Sequence, residues 1–299
     1  MQELISQLFY MMNYRNIIVF FLYVIRRNIM TVAIAIKINN GLVLATDSAS
    51  AIGEVNDNQA RISHTYYNAD KLFNLKKRYS IGCLTWGDGS INGVSISTLI
   101  KDFRKNLVSI NKLNIKNVAD MFISFLKEFI DDKYDDLKVG FLIAGYSDEN
   151  KNTPEMYLIE IKEQNIEMNP ISGSDNFSIS WFGDMDVLSR FIFGFDPDME
   201  ILLKNHGFDD DIVDNIIEIS KKNLSIPLGV SEMPIQDAID LADFLVEISK
   251  KTSRFLPGPQ IIGGPTDIAV ITKHEGFKWI QRKHYYDYNL NIIDNEQGE

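Results

Sequence analysis

Thr31-Val32-Ala33-Ile34-Ala35-Ile36-Lys37-Ile38-Asn39-Asn40-Gly41-Leu42-Val43-Leu44-Ala45-Thr46-Asp47-Ser48 is the stretch on which the reading of this chain turns. Residues 31–38 are rich in β-branched side chains and predict a strand. Asn39-Asn40-Gly41 is a hairpin signal, because Asn and Gly accept the positive φ of a type I′ turn. Leu42 to Ser48 then returns as a second strand. A two-residue turn at Asn39-Asn40 sets Asp47 opposite Val32; a turn at Asn40-Gly41 sets it opposite Ile34. Either register brings Asp47 within ~10 Å of Thr31 along the strand, at ~3.3 Å per residue. A lone Asp at a strand end is commonly a turn or cap residue, so the spacing alone names a candidate and not a function.

Outward from this hairpin, Lys71–Leu75 and Tyr79–Thr85 read as another, turning at Lys76-Lys77-Arg78. The segment between, Ile52 to Asn68, reads as an inserted loop. A helix is expected from about Ser90 to Val108, with Asp88 or Ser90 as cap. A second is expected from Val118 to Tyr134, with Met121, Phe122, Phe125, Leu126 and Phe129 on one face. Strands are expected at 139–144, 156–162, 177–182, 267–272 and 277–281. Helical segments fill the chain to Lys251, the clearest being Ile235–Ser249. Asp209-Asp210-Asp211 reads as a helix start, where negative charge suits the dipole. Two helix groups set among antiparallel strands predict an α+β fold, a four-layer αββα sandwich of two antiparallel sheets flanked by helices. No Pro-, Gly- or Ser-rich linker divides residues 31–285, which read as one domain followed by a polar tail over 286–299.

The 299 residues are 45 % apolar and 24 % charged, with a net charge of −11. That acidity argues against nucleic-acid binding, which leans on Lys and Arg neutralising phosphates. The single cysteine, Cys83, excludes an intrachain disulfide, reads as a packed thiol and suits a reducing, cytoplasmic setting. Residues 1–30 differ from the rest, with three basic residues and one acid. Their apolar run at 17–25 is short of the ~20 residues a membrane helix needs, so no membrane partner is expected. The segment reads as a propeptide or as untranslated, with Met30 the true start; the second reading is preferred.

Against this frame the ordered motifs resemble the proteasome β-type peptidases, including HslV-like and Anbu-like members. The matching elements are Thr31, Gly41, Leu42 to Ser48, Lys71-Leu72-Phe73 and Thr85-Trp86-Gly87-Asp88-Gly89. The Thr31–Asp47 interval matches without a gap, whereas Asp47–Lys71 is longer than usual. Weaker likeness continues through Phe141 to Tyr146, Gly183 and Gly263-Gly264. The resemblance implies the N-terminal-nucleophile (Ntn) hydrolase fold, with Thr31 as nucleophile once it is the first residue. A threonine hydroxyl needs a base, and a free α-amine, ordinarily of pKa ~7.7–8.0, can serve. Lys71 is then expected to lie charged beside the hydroxyl, Asp47 to hold its ammonium, and Gly87 (or Trp86, one residue earlier) to donate a backbone N–H to the oxyanion. The resemblance further implies a peptide or protein substrate and a homo-oligomeric ring or helical stack. An unfoldase partner is not readable.

The sequence departs from the family where many relatives carry an Asp and a Ser before the late Gly-Gly. Here Pro259-Gln260-Ile261-Ile262 precedes Gly263-Gly264, as in Anbu-like members. The central Gly-Ser element is replaced by Phe182-Gly183-Asp184, which makes Asp184 a minor candidate. A helical insertion is expected around 197–223. His64, His206, His274 and His284 lack zinc-ligand spacing, the Asp209 run lacks a calcium-loop pattern, and no phosphate loop is present; no cofactor or metal is expected. Two other readings stay open: an inactive assembly protein of the same fold, and an Ntn amidase acting on a small-molecule amide.

Overall fold

The computed structural model describes residues 31–56, 59–130, 137–150, 152–162, 165–171 and 177–287. The expectations for 1–30 and for most of the tail therefore lie outside the described residues; the helix foreseen to Tyr134 ends earlier, at Leu126, with Lys127 as its C-cap. The strands are β1 (Val32–Ile38), β2 (Gly41–Thr46), β3 (Ser50–Asn56), β4 (Gln59–Tyr66), β5 (Leu72–Asn74), β6 (Ile81–Gly87), β7 (Ser90–Ile91), β8 (Val94–Ser95), β9 (Lys138–Gly145), β10 (Glu155–Lys162), β11 (Asn165–Pro170), β12 (Ser178–Gly183), β13 (Asp267–Thr272) and β14 (Gly276–Gln281). The helices are α1 (Ile96–Asn106), α2 (Ile115–Leu126), α3 (Asp186–Phe193), α4 (Met199–Asn205), α5 (Asp210–Leu224) and α6 (Ile235–Phe255).

Two five-stranded sheets form the body, in the orders β12-β1-β2-β13-β14 and β11-β10-β9-β6-β5. Their ladders are antiparallel throughout. The chain is thus a mixed α/β protein of antiparallel sheets and helices. The turn falls at Asn39-Asn40, with Ile38 paired to Gly41 and Ala33 to Thr46. That is the first of the two registers considered, and it carries Asp47 opposite Val32. β1 and β2 are buried at every position, which explains their near-continuous apolar sequence: a strand covered on both faces has no polar side to show.

Three apolar clusters hold the elements together. In one, Leu99, Ile100 and Phe103 of α1 and Val118, Phe122 and Leu126 of α2 pack on Ile81, Cys83, Phe141 and Ile143 of the second sheet. Phe122 stands edge-on to both Phe103 and Phe141, with centroids 4.9 and 5.0 Å away. Each such pair adds about 0.5–1.5 kcal/mol beyond burial. In another, Ala238, Ala242, Leu245 and Val246 of α6 and Leu188 of α3 cover Ile34, Ile36, Val43 and Val270 of the first sheet. The third joins residues of both sheets, with Ala33, Ala35, Leu42 and Leu44 against Leu84, Leu142 and Ala144. Cys83, in the first of these clusters, is a packed thiol, its pKa pushed up by burial.

Several expectations are corrected. The stretch after Asp47 is not a loop but a two-stranded hairpin, β3–β4. A short β7–β8 hairpin precedes α1, so the cap is Ser95, whose side chain accepts the Thr98 N–H, and not Asp88 or Ser90. The helix placed at Val118 begins one turn earlier, capped by Asn114. Strand β11 had no counterpart in the reading. The insertion near 197–223 comprises α4 and α5, and the aspartate run does open α5.

Candidate active site

Asp47 leaves the end of β2 with its side chain completely buried. Its Oδ1 accepts the Val32 backbone N–H at 3.2 Å and the Lys71 ammonium at 2.8 Å. Its Oδ2 accepts the N–H groups of Ala49 and Gly263, both at 3.0 Å. A buried carboxylate is tolerable when its lone pairs are met this fully. Local structure explains each donor. The hairpin register delivers Val32, the tight bend after Asp47 delivers Ala49, and the loop before β13 delivers Gly263. Ser48 ties that loop down, donating its N–H to Gly263 O at 2.9 Å and its hydroxyl to Pro265 O at 2.7 Å.

Lys71 precedes β5, its side chain 7 % exposed. Burial pulls its pKa below the ordinary lysine value; attraction to Asp47 and their hydrogen bond act in the opposite direction, and the charge of Lys283 lowers it further. The Lys71 carbonyl accepts the Thr85 N–H at 2.9 Å, fixing the segment against β6.

Thr31 is 2 % exposed and immediately precedes β1. Its carbonyl accepts the Asp184 N–H at 2.8 Å. Gly183, at φ +88°, lies so close that a Cβ there would sit 2.0 Å from this carbonyl oxygen. Gly183→Ala therefore forces β12 away from Thr31 or into a strained backbone. It is expected to destabilise the fold by about 1–3 kcal/mol in chemical denaturation. An unchanged midpoint would contradict this steric account.

Thr31, Lys71 and Gly87 line one cleft of about 240 Å³, together with Ser50, Asp70 and Asp88. Asp47 lies behind it, beneath the Lys71 ammonium. Gly87 has φ +89°, and a Cβ there would meet Lys138 O at 2.3 Å. The ladder decides which N–H faces the cleft. Thr85 N–H points to the β5 side, onto Lys71 O, and Asp88 N–H points to the β9 side, onto Lys138 O. Strand alternation turns the Trp86 N–H toward β9 and the Gly87 N–H back toward the Lys71 edge. Gly87, not Trp86 or Asp88, thus offers its N–H there, while the Trp86 ring stacks on Phe182 at 4.5 Å.

The structure gathers Thr31, Asp47, Lys71 and Gly87 into one locality. Asp184 joins through its backbone N–H; its carboxylate accepts the Asp186 N–H at 3.2 Å at the start of α3. Pro259 to Ile262 do not line the cleft. Gln260 bonds Ile262 O at 2.9 Å, and Ile261 and Ile262 are buried in the α6 cluster. Gly263 was singled out only as part of the late Gly-Gly element; its donation to Asp47 was not disclosed by the sequence, since a backbone donor has no side-chain signature. Among the described residues, no group of three His, Cys, Asp or Glu could hold a metal ion. Nor is any helix long and apolar enough to cross a membrane.

No protein-family model and no curated protein matches the chain. Among solved structures it is similar to Anbu (ancestral beta-subunit) from Yersinia bercovieri, with 12 % identity, TM-score 0.47, and coverage of 89 % of this chain and 94 % of that one. It is also similar to an Anbu (Gly-1) mutant from Hyphomicrobium sp. strain MC1, with 14 % identity, TM-score 0.47, and coverage of 89 % and 95 %.

Proposed function

We propose that this chain is a proteasome-like, threonine-type Ntn peptidase with the four-layer αββα arrangement, cytoplasmic and active as a homo-oligomer. The observation that carries the reading is the buried Asp47 carboxylate, which takes three backbone N–H groups and the Lys71 ammonium and so fixes a cation at the cleft that Thr31 lines. With Thr31 as first residue, its Oγ1 attacks a peptide carbonyl while its α-amine takes the hydroxyl proton. Lys71 and the Gly87 N–H stabilise the developing negative charge. The protonated α-amine of Thr31 then passes that proton to the leaving amine, and water hydrolyses the ester. N-terminal sequencing of the protein from its own host tests this: a chain beginning at Thr31 supports it, and retention of residues 1–30 sinks the mechanism.

The pH profile should be bell-shaped. Activity rises as the α-amine loses its proton, at a pH lowered by the neighbouring Lys71 charge. It falls as Lys71 deprotonates, below the ordinary 10.5 because burial lowers that pKa. The stability sign is opposite. Between the folded and unfolded pKa values the unfolded lysine binds more protons, so Lys71 adds stability as pH rises. The alkaline fall should therefore appear in kcat with no loss of Tm attributable to this group. An alkaline limb at or above 10.5 would reject Lys71 as its source.

A second reading, a non-catalytic assembly protein, is favoured by one observation. Gln260, Ile261 and Ile262 turn to backbone and core where relatives carry amine-orienting side chains.

A further inference from the structure

We infer that the cleft selects substrates with a cationic side chain next to the scissile bond, and that Asp70 is the specificity-determining residue; this rests on the peptidase reading. Among the described residues, three ionisable side chains line the cleft: Asp70, Lys71 and Asp88. Lys71 is neutralised by Asp47 at 2.8 Å. Asp88 accepts the Lys138 N–H at 2.7 Å. Asp70, adjacent to Lys71 in sequence, keeps a carboxylate 48 % exposed. The Ser97 hydroxyl, also on the cleft wall, donates to it at 3.4 Å.

Two outside cations offset part of this charge. Lys283 Nζ is 3.8 Å from Asp70 but is engaged more closely by Asp267. Arg104 also feels the Asp70 charge, through a weaker influence than its own burial. Neither lines the cleft. Most of the remaining lining is small or hydroxylic, including Ala49, Ser50, Ala69, Ser95 and Ser97; its larger apolar members, Trp86 and Ile96, are themselves buried and leave little surface to reward an aromatic or leucine side chain. A lysine or arginine side chain would bring its stem past these residues and its charge to Asp70. A glutamate would be repelled by the Asp70 and Asp88 carboxylates.

The test compares kcat/KM on three fluorogenic peptides differing at the residue before the cleavage point, Lys, Leu and Glu. The Lys peptide is expected to lead. Asp70→Asn should reduce its advantage over Leu by about two- to fivefold, the scale of a half-exposed ion pair. Asp70→Lys should reverse the order of Lys and Glu. An uncharged leucine-based epoxyketone should still form its adduct at Thr31 in both variants, which separates lost charge recognition from a damaged fold. Equal rates on the three peptides overturn this inference and leave the peptidase reading standing. A Lys preference that survives Asp70→Asn removes Asp70 from the role. No hydrolysis and no Thr31 adduct overturn both.

Discussion

Lys71→Ala is expected to lower kcat/KM on any cleaved peptide by roughly 10³-fold, the upper range for removing one electrostatic stabiliser of an oxyanion. The argument begins with burial. The ammonium sits against Asp47 at 2.8 Å in a site almost closed to water, where a charge acts at full strength on a neighbouring alkoxide. Removing one partner of a buried pair usually costs ~3–5 kcal/mol, because the other charge is stranded. Here Asp47 keeps the N–H groups of Val32, Ala49 and Gly263, so the loss of stability should fall below that range. Lys71→Arg should fail as well, since a planar guanidinium does not replace a compact ammonium in so enclosed a place. Steady-state kinetics paired with thermal unfolding separate the two effects. Near-wild-type turnover by either variant would reject the assignment.

What the sequence disclosed, and what it withheld, follows from where the information lies. The β1–β2 register was legible to within two choices, because Asn39-Asn40-Gly41 restricts the turn and the turn sets every pair after it. The Asp47–Lys71 pairing was suggested by motif order but not by any local pattern, since the two groups adjoin strands of different sheets, β2 and β5. Hairpin β3–β4 was missed because its sequence holds few apolar residues in alternation, and its place is set by the two strands pairing with each other. Strand β11 was missed because its apolar Ile166 and Met168 are too few to stand out; its place is set by pairing with β10. The donation from Gly263 was missed for a different reason. It reaches Asp47 as a main-chain N–H from 216 residues away, and only the fold joins them.

Thr31→Ala should abolish hydrolysis completely, whereas Thr31→Ser should retain part of it. The contrast isolates the chemistry, because serine keeps both a hydroxyl and a terminal amine and alanine keeps the amine alone. The backbone anchors do not involve the hydroxyl: Thr31 O is held by the Asp184 N–H at 2.8 Å, and Gly183 packs against it. Both variants should therefore fold and assemble normally. An epoxyketone sharpens the test, because it closes a ring through hydroxyl and α-amine together. An adduct mapped to Thr31 by mass spectrometry requires that the residue be the first of the chain and that its two groups converge. Gln260 to Ile262 supply no side chain to orient that amine, which leaves the clamp on the Thr31 carbonyl to do so. The Thr31 main chain is then the orienting device, so Gly183→Ala should slow adduct formation more than it lowers stability would suggest. If no adduct forms and Thr31→Ala leaves assembly unchanged, the cleft is not catalytic and the assembly-protein reading replaces the peptidase.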